Sequence, residues 1–235
     1  MLIETGHATH VGLRREHNED TYYADGALGL WLVADGMGGH EQGEVASALA
    51  RREIVFRIEA GDPLEDSIRA ANAAIIAHAG QRRQRLPMGT TVAAVRVQGA
   101  QYLAAWVGDS RIYRCREGQL TPISADHSYV RTLIDQGVVT PEQARTHPHR
   151  NVITQALGVT DAHSLHVEQV ECELHAGDQL LLCSDGLTEE VDDATIQAIV
   201  ARTELSAQEC VDHLMLAALE GGGSDNITVV LLRVL

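Results

Sequence analysis

Residues 31–39 read W-L-V-A-D-G-M-G-G, in which four apolar residues run into an aspartate and then into turn-forming residues. The same pattern returns as A-A-W-V-G-D-S-R at residues 104–111 and as L-L-L-C-S-D-G at residues 180–186. Short apolar runs bounded by Gly or Asp are typical of strands, and strands that are apolar on both faces belong to sheets covered on each side. The pattern therefore predicts buried strands that each deliver an aspartate at one end.

Strand and helix signals alternate around these runs. Strands are predicted over residues 28–34, 90–98, 102–107, 111–115, 179–184 and 226–234. Helices are predicted over residues 41–59 with Phe56 facing inward, after a cap at Asp62, and after a capping box formed by Ser206 and Glu209. Strands joined by hairpin-length links and interleaved with helices favour an α+β fold, in which helices pack on antiparallel sheets.

The stretch from residue 128 to residue 166 departs from this pattern. It is polar, rich in His and weakly periodic, and it contains Pro141 and Pro148. We predict an irregular surface insertion, partly helical near residues 129–136, because long insertions in compact domains are often lids or recognition loops. Since no repeat, low-complexity segment or linker divides the sequence, we expect a single domain over residues 1–235.

Composition limits the compartment and the kind of site. Apolar residues make up 45% of the 235-residue chain and charged residues 22%, which is typical of a packed globule. No apolar run reaches about 18 residues and no signal-peptide pattern opens the chain, so we expect a soluble cytoplasmic protein. Because the four cysteines are widely spread and form no C-x-x-C pair, a zinc site or a disulfide framework is disfavoured, and Cys183 is expected to be a buried thiol.

The charge is strongly negative, with 33 acidic and 18 basic residues and a net charge of -15. Such a chain repels nucleic acid and anionic membranes, and we expect neither as a partner. All 18 basic residues are Arg, which excludes a P-loop lysine, a Schiff-base lysine and a lysine general base. Arginine suits bidentate phosphate recognition, and Arg15, just before Asp20, is a candidate phosphate clamp.

Aspartates stand at or near the ends of several predicted strands: Asp20, Asp35, Asp109, Asp185 and Asp225. One Asp-Gly after a strand is usually only a turn, but an ionised carboxylate beside a core is costly to desolvate, and several of like sign need a cation. Oxygen ligands select hard cations, so the pattern predicts Mg²⁺ or Mn²⁺ rather than zinc. Two such ions about 3.5–4 Å apart can activate a shared water for in-line attack on phosphorus.

Seven segments, taken in order, resemble the metal-dependent type 2C family (PPM) of protein serine/threonine phosphatases in its compact bacterial form. They are R-E-H-N-E-D (15–20), V-A-D-G-M-G-G-H (33–40), M-G-T-T (88–91), V-G-D-S-R (107–111), S-A-D-H (124–127), C-S-D-G-L (183–187) and G-G-S-D-N (222–226). Each motif alone is weak, whereas the ordered set covers nearly the whole chain and is specific. The resemblance implies a four-layer αββα sandwich with the metal cluster at one end and residues 128–166 as a flap beside it.

The resemblance also implies a ligand set for two metal ions, either Mg²⁺ or Mn²⁺. Asp35 would bridge the two ions, and the carbonyl oxygen of Gly36 would bind the second. Asp185 and Asp225 would complete the protein ligands of the first ion. These positions match the family's motifs D-G, S-D-G and S-D-N residue by residue.

Further roles follow from the same resemblance. Glu19 and Asp20 would act largely through metal-bound waters. Asp109, together with Asp185, matches the third-metal site that is typical of bacterial members, and it would contribute to catalysis in that way. Arg15 occupies the phosphate-binding position of the family.

One position departs from the animal members of the family, which carry a His directly after the Asp-Gly pair as the proposed general acid. Met37 stands at that position here. The acid that protonates the leaving group is therefore open between a metal-bound water, His40 and a flap histidine such as His147.

Taken with the resemblance, the sequence predicts an active phosphatase that removes phosphate from phosphoserine and phosphothreonine in proteins. A bacterial Ser/Thr kinase and its substrates are the expected partners, and we expect a monomer. A two-metal phosphodiesterase or nuclease could use the same acids, but the net charge of -15 opposes nucleic-acid binding. A catalytically inactive module that binds phosphorylated partners is the third alternative, and the presence of all the metal-site aspartates opposes it.

Overall fold

Over residues 2–38, 42–81 and 88–235, which the computed structural model describes, the chain forms eleven strands and seven helices. The strands are β1 (Ile3–His10), β2 (Asp20–Asp25), β3 (Leu30–Gly38), β4 (Met88–Thr90), β5 (Val92–Gln98), β6 (Gln101–Val107), β7 (Arg111–Arg116), β8 (Gln119–Pro122), β9 (Glu168–Glu173), β10 (Gln179–Cys183) and β11 (Ile227–Val234). The helices are α1 (Gln42–Glu59), α2 (Leu64–Gly80), α3 (Tyr129–Asp135), α4 (Pro141–Arg145), α5 (Asp185–Thr188), α6 (Asp193–Val200) and α7 (Ala207–Gly221).

The strands make two antiparallel sheets. The first sheet has the order β1-β11-β10-β7-β8, and the second has the order β2-β3-β5-β6-β9, with β4 paired to β3. Neighbouring residues of a strand face opposite sides, as β3 illustrates: Trp31 points into the layer between the sheets, and Leu32 points toward α1 and α2. Leu181 and Leu182 divide in the same way in β10, with Leu181 beneath α7.

Three apolar layers follow from this alternation, one between the sheets and one under the helices on each outer side. Four layers of secondary structure enclose them, in the order helices, sheet, sheet, helices. This architecture confirms the predicted α+β fold and the αββα sandwich, and it explains why the central strands are apolar on both faces.

All six predicted strands are present, but some boundaries differ. The strand that begins at Leu30 continues through Asp35 to Gly38, and the predicted strand over residues 90–98 is interrupted at Thr91. The sequence prediction reached only the last residue of β4, and it missed β1, β2, β8 and β9. Their side chains are mostly half-buried or exposed and alternate with polar residues, so a search for continuous apolar runs does not detect them.

The helix starts were predicted with mixed success. The capping box of α7 is confirmed, since the Glu209 N–H donates to Ser206 Oγ (3.2 Å) and the Ser206 N–H donates to Glu209 Oε2 (2.8 Å). The cap at Asp62 is wrong, because Pro63 is the N-cap of α2 and makes no side-chain capping bond. The Asp62 carboxylate instead accepts from Arg57 Nη1 at 3.3 Å.

Residues 128–166, the flap, contain two short helices. Helix α3 agrees with the helix predicted near residues 129–136, and the Ser128 side chain caps it by accepting from the Arg131 N–H. Helix α4 was missed, although Thr140 and Gln143 form a capping box in front of it. A five-residue helix is too short to show an apolar periodicity, so only its cap signals it.

Two observations concern membrane-spanning helices and the state of the cysteines. None of the helices in the described part of the chain is long and apolar enough to cross a membrane. The four cysteines are free thiols, and Cys183 is fully buried as expected. Burial raises the pKa of Cys183 to about 12, which keeps the thiol protonated and unreactive.

The prediction that Phe56 of α1 faces inward is wrong, because Phe56 is 62% exposed. The buried face of α1 includes Ala46, Ala50, Ile54 and Ile58, which recur every four residues. Phe56 lies two positions from Ile54 and therefore on the opposite side of the helix.

This difference predicts unequal costs for two truncations of the same helix. Ile54→Ala should lower the free energy of unfolding by about 2–5 kcal/mol, because it leaves a cavity in a fully buried position. Phe56→Ala should change it by no more than about 0.5 kcal/mol, as exposed substitutions usually do. Urea unfolding of both variants measures this, and equal losses would contradict the assigned faces of α1.

Candidate active site

The antiparallel strand order brings five aspartates to one end of the sandwich. In the first sheet, β10 ends just before Asp185 and its antiparallel neighbour β11 begins just after Asp225. In the second sheet, β2 begins with Asp20, which pairs directly opposite Asp35 of β3. Asp109 follows the end of β6. The predicted strand ends therefore meet, although they come from distant parts of the sequence.

These carboxylates influence one another's ionisation. Burial, followed by the negative charges of the other four aspartates, raises the pKa of Asp35 well above its ordinary value of 3.8. Burial is also the largest cause for Asp20, whose pKa rises to about 6, and for Asp109, whose pKa rises to about 7. For Asp185, burial and then the charge of Asp109 raise the pKa. The ionised site is thus held at a cost, which a bound cation would reduce.

Asp20 connects the two sheets. Its Oδ2 accepts hydrogen bonds from Ser184 Oγ (2.8 Å) and from Thr228 Oγ1 (2.7 Å), both of which belong to the opposite sheet. Thr228 Oγ1 also lies 2.8 Å from Thr9 Oγ1 in β1. These hydroxyls fix Oδ2 of the Asp20 carboxylate. The orientation of Oδ1 follows from that, although Oδ1 itself accepts no hydrogen bond.

A second group of hydroxyls holds the backbone of Asp35. The Asp35 N–H donates to Thr91 Oγ1 (3.0 Å), and the Asp35 carbonyl accepts from Thr90 Oγ1 (2.8 Å) and from the Thr91 N–H (2.9 Å). Thr91 Oγ1 lies 2.7 Å from Ser110 Oγ, directly after Asp109. The M-G-T-T segment therefore links the backbone at Asp35 to the turn at Asp109.

Glycine is required at Gly36 of β3, where the backbone lies close to Glu19 and to the start of α1. The Gly36 N–H donates to the Glu19 carbonyl (3.1 Å), and the Gly43 N–H donates to Glu19 Oε1 (3.2 Å). A Cβ on Gly36 would lie 2.1 Å from the Gly43 carbonyl oxygen, so a larger residue would separate α1 from the site. Burial raises the pKa of Glu19, while its bond from Gly43 opposes that rise.

Arg15 is placed on a carboxylate. Its Nη2 donates to Asp225 Oδ2 at 2.6 Å, with the Arg15 side chain 55% exposed and the Asp225 side chain 26% exposed. The hydrogen bond that Arg15 donates to Asp225 is the main cause of the raised pKa of Arg15. Glu190 secures the same loop, since Glu190 Oε1 accepts from the Ser224 N–H at 3.0 Å. The phosphate-clamp role of Arg15 stays a prediction.

A cleft of about 920 Å³ adjoins Asp109 and Asp185. The flap forms one wall through α3 and α4, and the start of α6 contributes to the other. Arginines along the cleft include Arg14, Arg131, Arg145 and Arg150, and acidic residues include Glu189, Glu190, Asp192 and Asp193. The cleft is therefore wide and polar, and most of the charged groups on its flap side are cations.

The candidate proton donors are placed as follows. His147 lies in a ring cluster on the flap, with its ring centroid 6.1 Å from that of Tyr129 and 5.7 Å from that of His149. The His149 N–H donates to His147 Nδ1 at 3.1 Å, which leaves Nε2 available to exchange a proton. His40 lies outside the described residues, and Met37 is half-buried. The role of His147 stays a prediction.

The donor set fits a hard divalent cation. Among the described residues, Asp20 Oδ1 and Asp185 Oδ1 are buried oxygens that accept no hydrogen bond, although a buried polar atom normally has a partner. In the same part of the chain, no three His, Cys, Asp or Glu side chains are already arranged to hold an ion. Oxygen-only ligands of high negative charge are those that Mg²⁺ and Mn²⁺ prefer.

Sequence reasoning missed the residues that hold the carboxylates. Ser184 precedes Asp185, Ser110 follows Asp109, and Thr91 ends M-G-T-T, so hydroxyl residues recur beside the acidic motifs. That recurrence was the available signal. It was overlooked because only the acids carry chemistry in the usual interpretation of these motifs.

Comparisons with known proteins agree with this geometry. The family model described as protein phosphatase 2C matches residues 13–220. The chain is 40% identical over 226 residues to the serine/threonine protein phosphatase PstP of Mycobacterium tuberculosis, which covers 93% of this chain and 42% of that protein. It thus spans less than half the length of that relative.

Two further similarities cover nearly whole chains. The serine/threonine phosphatase stp of Listeria innocua is 34% identical over 238 residues, which cover 96% of this chain and 93% of that protein. The crystal structure of the catalytic domain of PstP, in complex with two manganese ions, superposes with a TM-score of 0.87 at 37% identity. That superposition covers 98% of this chain and 97% of the other.

The buried charges predict an unusual stability change in metal-free protein. Asp185→Asn should raise the melting temperature measured with a chelator, because it removes a charge whose ionisation is opposed by burial and by Asp109. Relief of about 1 kcal/mol would raise Tm by about 2–4 °C in a chain of this size. With Mn²⁺ added, the variant should gain less stability than the wild type.

Asp25→Asn is the matched control for this experiment. The Asp25 carboxylate accepts from the Leu28 and Ala27 N–H groups, which lower its pKa, so its charge is favourable in the fold. Asp25→Asn should therefore not raise Tm. An Asp185→Asn protein that melts at or below the wild-type temperature without metal would contradict the cost assigned to that carboxylate.

Proposed function

The chain belongs to the protein phosphatase 2C family, and we propose that it is a metal-dependent phosphatase that hydrolyses phosphoserine and phosphothreonine in proteins. The observation that carries the proposal is the pair of buried, unpartnered oxygens, Asp20 Oδ1 and Asp185 Oδ1, among aspartates that raise one another's pKa. Such a set is costly unless it binds cations. The manganese ions in the PstP structure support Mn²⁺ or Mg²⁺ as those cations.

We assign the metal-holding groups from the family pattern and the placement above. Asp35 would hold both ions, the Gly36 carbonyl would bind the second, and Asp185 and Asp225 would complete the protein ligands of the first. Glu19 and Asp20 would contribute through waters, and Asp109 would hold a third ion with Asp185. When bound, the ions would supply Lewis acidity that activates water and offsets charge on the phosphoryl oxygens.

The protein's own residues would orient the phosphoryl group of the substrate and hold the carboxylates in place. Arg15 lies within electrostatic range of Asp35 and Asp185, where its guanidinium could exchange Asp225 for two phosphoryl oxygens. The hydroxyls that hold Asp20 and the Asp35 backbone would keep the carboxylates in place while the substrate binds. The group that protonates the leaving oxygen stays open between a water at the metal site, His40 and a flap histidine such as His147.

The cleft beside the site supports a protein substrate. Its volume of about 920 Å³ exceeds what a phosphorylated side chain alone would fill, so residues on either side of the phosphoresidue could contact the flap. We propose phosphorylated proteins as substrates, with a Ser/Thr kinase and its targets as the physiological partners. The proposal further includes a monomer that works in the cytoplasm and binds neither nucleic acid nor membranes.

Turnover of para-nitrophenyl phosphate and of a phosphothreonine peptide with Mn²⁺ tests the function. Both activities should disappear with a chelator and return with added Mn²⁺, and Asp35→Asn should remain inactive at saturating Mn²⁺. The same preparation should not cleave single-stranded DNA or bis-para-nitrophenyl phosphate. Binding of the phosphopeptide without turnover would favour the inactive binding module, and diester cleavage would favour the nuclease alternative.

Arg15→Ala should weaken phosphosubstrate recognition more than metal binding. A charged hydrogen bond of this kind contributes about 1.5–3 kcal/mol, and about 1.4 kcal/mol corresponds to tenfold, so kcat/KM should fall by about 10–200-fold. Phosphate inhibition should weaken in parallel, while Mn²⁺ titration by calorimetry should change little. Arg14→Ala is the matched control from the neighbouring position, and unchanged kcat/KM in Arg15→Ala would refute the clamp.

The flap should control substrate selection rather than chemistry. Replacing residues 146–151 with a Gly/Ser linker removes His147 and His149 from the flap, and Arg150 and Asn151 from the cleft wall. Relative kcat/KM values for several phosphopeptides should change, while para-nitrophenyl phosphate hydrolysis is largely kept. Equal losses on both substrate types would mean that the segment supplies a catalytic group, and His147→Ala would then identify it.

A further inference from the structure

His127 has four hydrogen bonds that the function proposed above does not use. Two of them go to Gly108, which precedes Asp109: the Gly108 N–H donates to His127 Nδ1 at 3.2 Å, and the His127 N–H donates to the Gly108 carbonyl at 2.8 Å. The residue is only 7% exposed. His127 therefore binds Gly108 twice, through its ring at the N–H and through its backbone at the carbonyl, next to a candidate metal ligand.

The other two bonds reach the flap. His127 Nε2 lies 3.2 Å from Glu168 Oε1, and the Thr154 N–H donates to the His127 carbonyl at 2.7 Å. His127 directly precedes the flap, and Glu168 follows it after one further residue. The bond between these two side chains thus closes the neck of the flap, and Thr154 ties the middle of the flap to the same residue.

We propose that His127 is a positioning residue that holds the Asp109 turn in register with the neck of the flap. This inference rests on the proposed function, because it assigns the turn a role through Asp109. The ring would fix where that carboxylate stands relative to the flap wall of the cleft. Displacements of about 1 Å at such a site are enough to impair catalysis.

The packing of the Gly108 turn makes the hydrogen bond to His127 specific. Gly108 has a φ of +107°, and a Cβ added there would lie 2.6 Å from Thr91 Cγ2. The turn is therefore packed closely against Thr91 and is also bonded to His127. A residue that fills the space of His127 without an acceptor at the Nδ1 position would leave the Gly108 N–H buried and unsatisfied.

The hydrogen bonds also select one tautomer. Nδ1 accepts the Gly108 N–H and so carries no proton, which places the proton on Nε2, where it is donated to Glu168. Burial lowers the pKa of His127, in agreement with a neutral ring, and Glu168 opposes that shift. The two ring nitrogens thus have different partners, and amide substitutions can separate their contributions.

Two amide variants divide the role of the ring. His127→Asn places an acceptor near the position of Nδ1 and loses the bond to Glu168, whereas His127→Gln reaches toward Glu168 and loses the acceptor for Gly108. Glu168→Ala removes only the bond at the neck. His163→Asn is the control, because His163 is an exposed flap histidine.

The first measurement is amide hydrogen exchange of Gly108 in metal-free protein, which does not depend on phosphatase activity. One lost hydrogen bond corresponds to about a two- to tenfold faster exchange, so His127→Gln should show an increase of that size. His127→Asn, Glu168→Ala and the control should stay within about twofold of the wild type. In calorimetric titrations with Mn²⁺, the affinity of the weakest metal site should fall in His127→Gln and in none of the other variants.

Kinetics supply the second measurement. Glu168→Ala and His127→Asn should raise KM for a phosphopeptide and leave kcat for para-nitrophenyl phosphate near the wild-type value, whereas His127→Gln should lower that kcat. Equal effects of the Asn and Gln variants on exchange, Mn²⁺ binding and kcat would mean that His127 only fills space, and would overturn the proposal. A wild-type protein without turnover would refute the phosphatase function, while exchange would still decide the role of His127.

Should His127→Gln fail to fold, His127→Asn and Glu168→Ala decide the matter. Both lose the bond at the neck and keep an acceptor for the Gly108 N–H, so the proposal requires the Gly108 amide to remain protected in both. A rise of tenfold or more in Gly108 exchange in His127→Asn, with a wild-type melting temperature, would overturn it.

Discussion

Five carboxylates of the same charge share one end of the sandwich, and the surrounding structure is arranged to hold them there. Burial, together with repulsion from neighbouring carboxylates, raises the pKa of Asp20, Asp35, Asp109 and Asp185. The chain has no lysine to offset them, and the Arg15 side chain, which bonds to Asp225, is more than half exposed. A divalent cation converts this repulsion into attraction, and strand ends suit it, because the core fixes them while solvent reaches them.

The groups that hold the Asp20 carboxylate and the Asp35 backbone are neutral, which preserves the negative charge that a cation needs. Ser184 and Thr228 donate to Asp20 across the two sheets, and Thr91 and Ser110 link the Asp35 backbone to the Asp109 turn. An arginine or lysine in these places would compete with the metal, whereas a hydroxyl satisfies one oxygen and leaves the other available. The same hydroxyls hold the two sheets in a fixed relation at this end, so the site and the sandwich stabilise each other.

The sequence predicted the parts of this arrangement that a short stretch of chain encodes by itself. An apolar run that ends in Asp specifies both a central strand and the side chain at its end, so Asp35, Asp109 and Asp185 were identified with their strands. Edge and half-buried strands such as β1 and β9 were missed, because pairing with a neighbouring strand, rather than their own sequence, determines that they form. The contact of Arg15 with Asp225 joins residues 210 positions apart and has no local signal. Phe56 was misplaced because the helix is apolar on more than one face.

The carboxylates and the flap depend on different kinds of structure in this fold. The carboxylates depend on strand register, where a slip of one residue would turn every side chain to the other face, so little variation is possible there. Three of the arginines along the cleft, at positions 131, 145 and 150, belong to the flap, whose short helices rest on local caps. The flap meets the sandwich at a neck closed by His127 and Glu168. A flap held in this way can change its sequence without disturbing the carboxylates at the end of the sandwich.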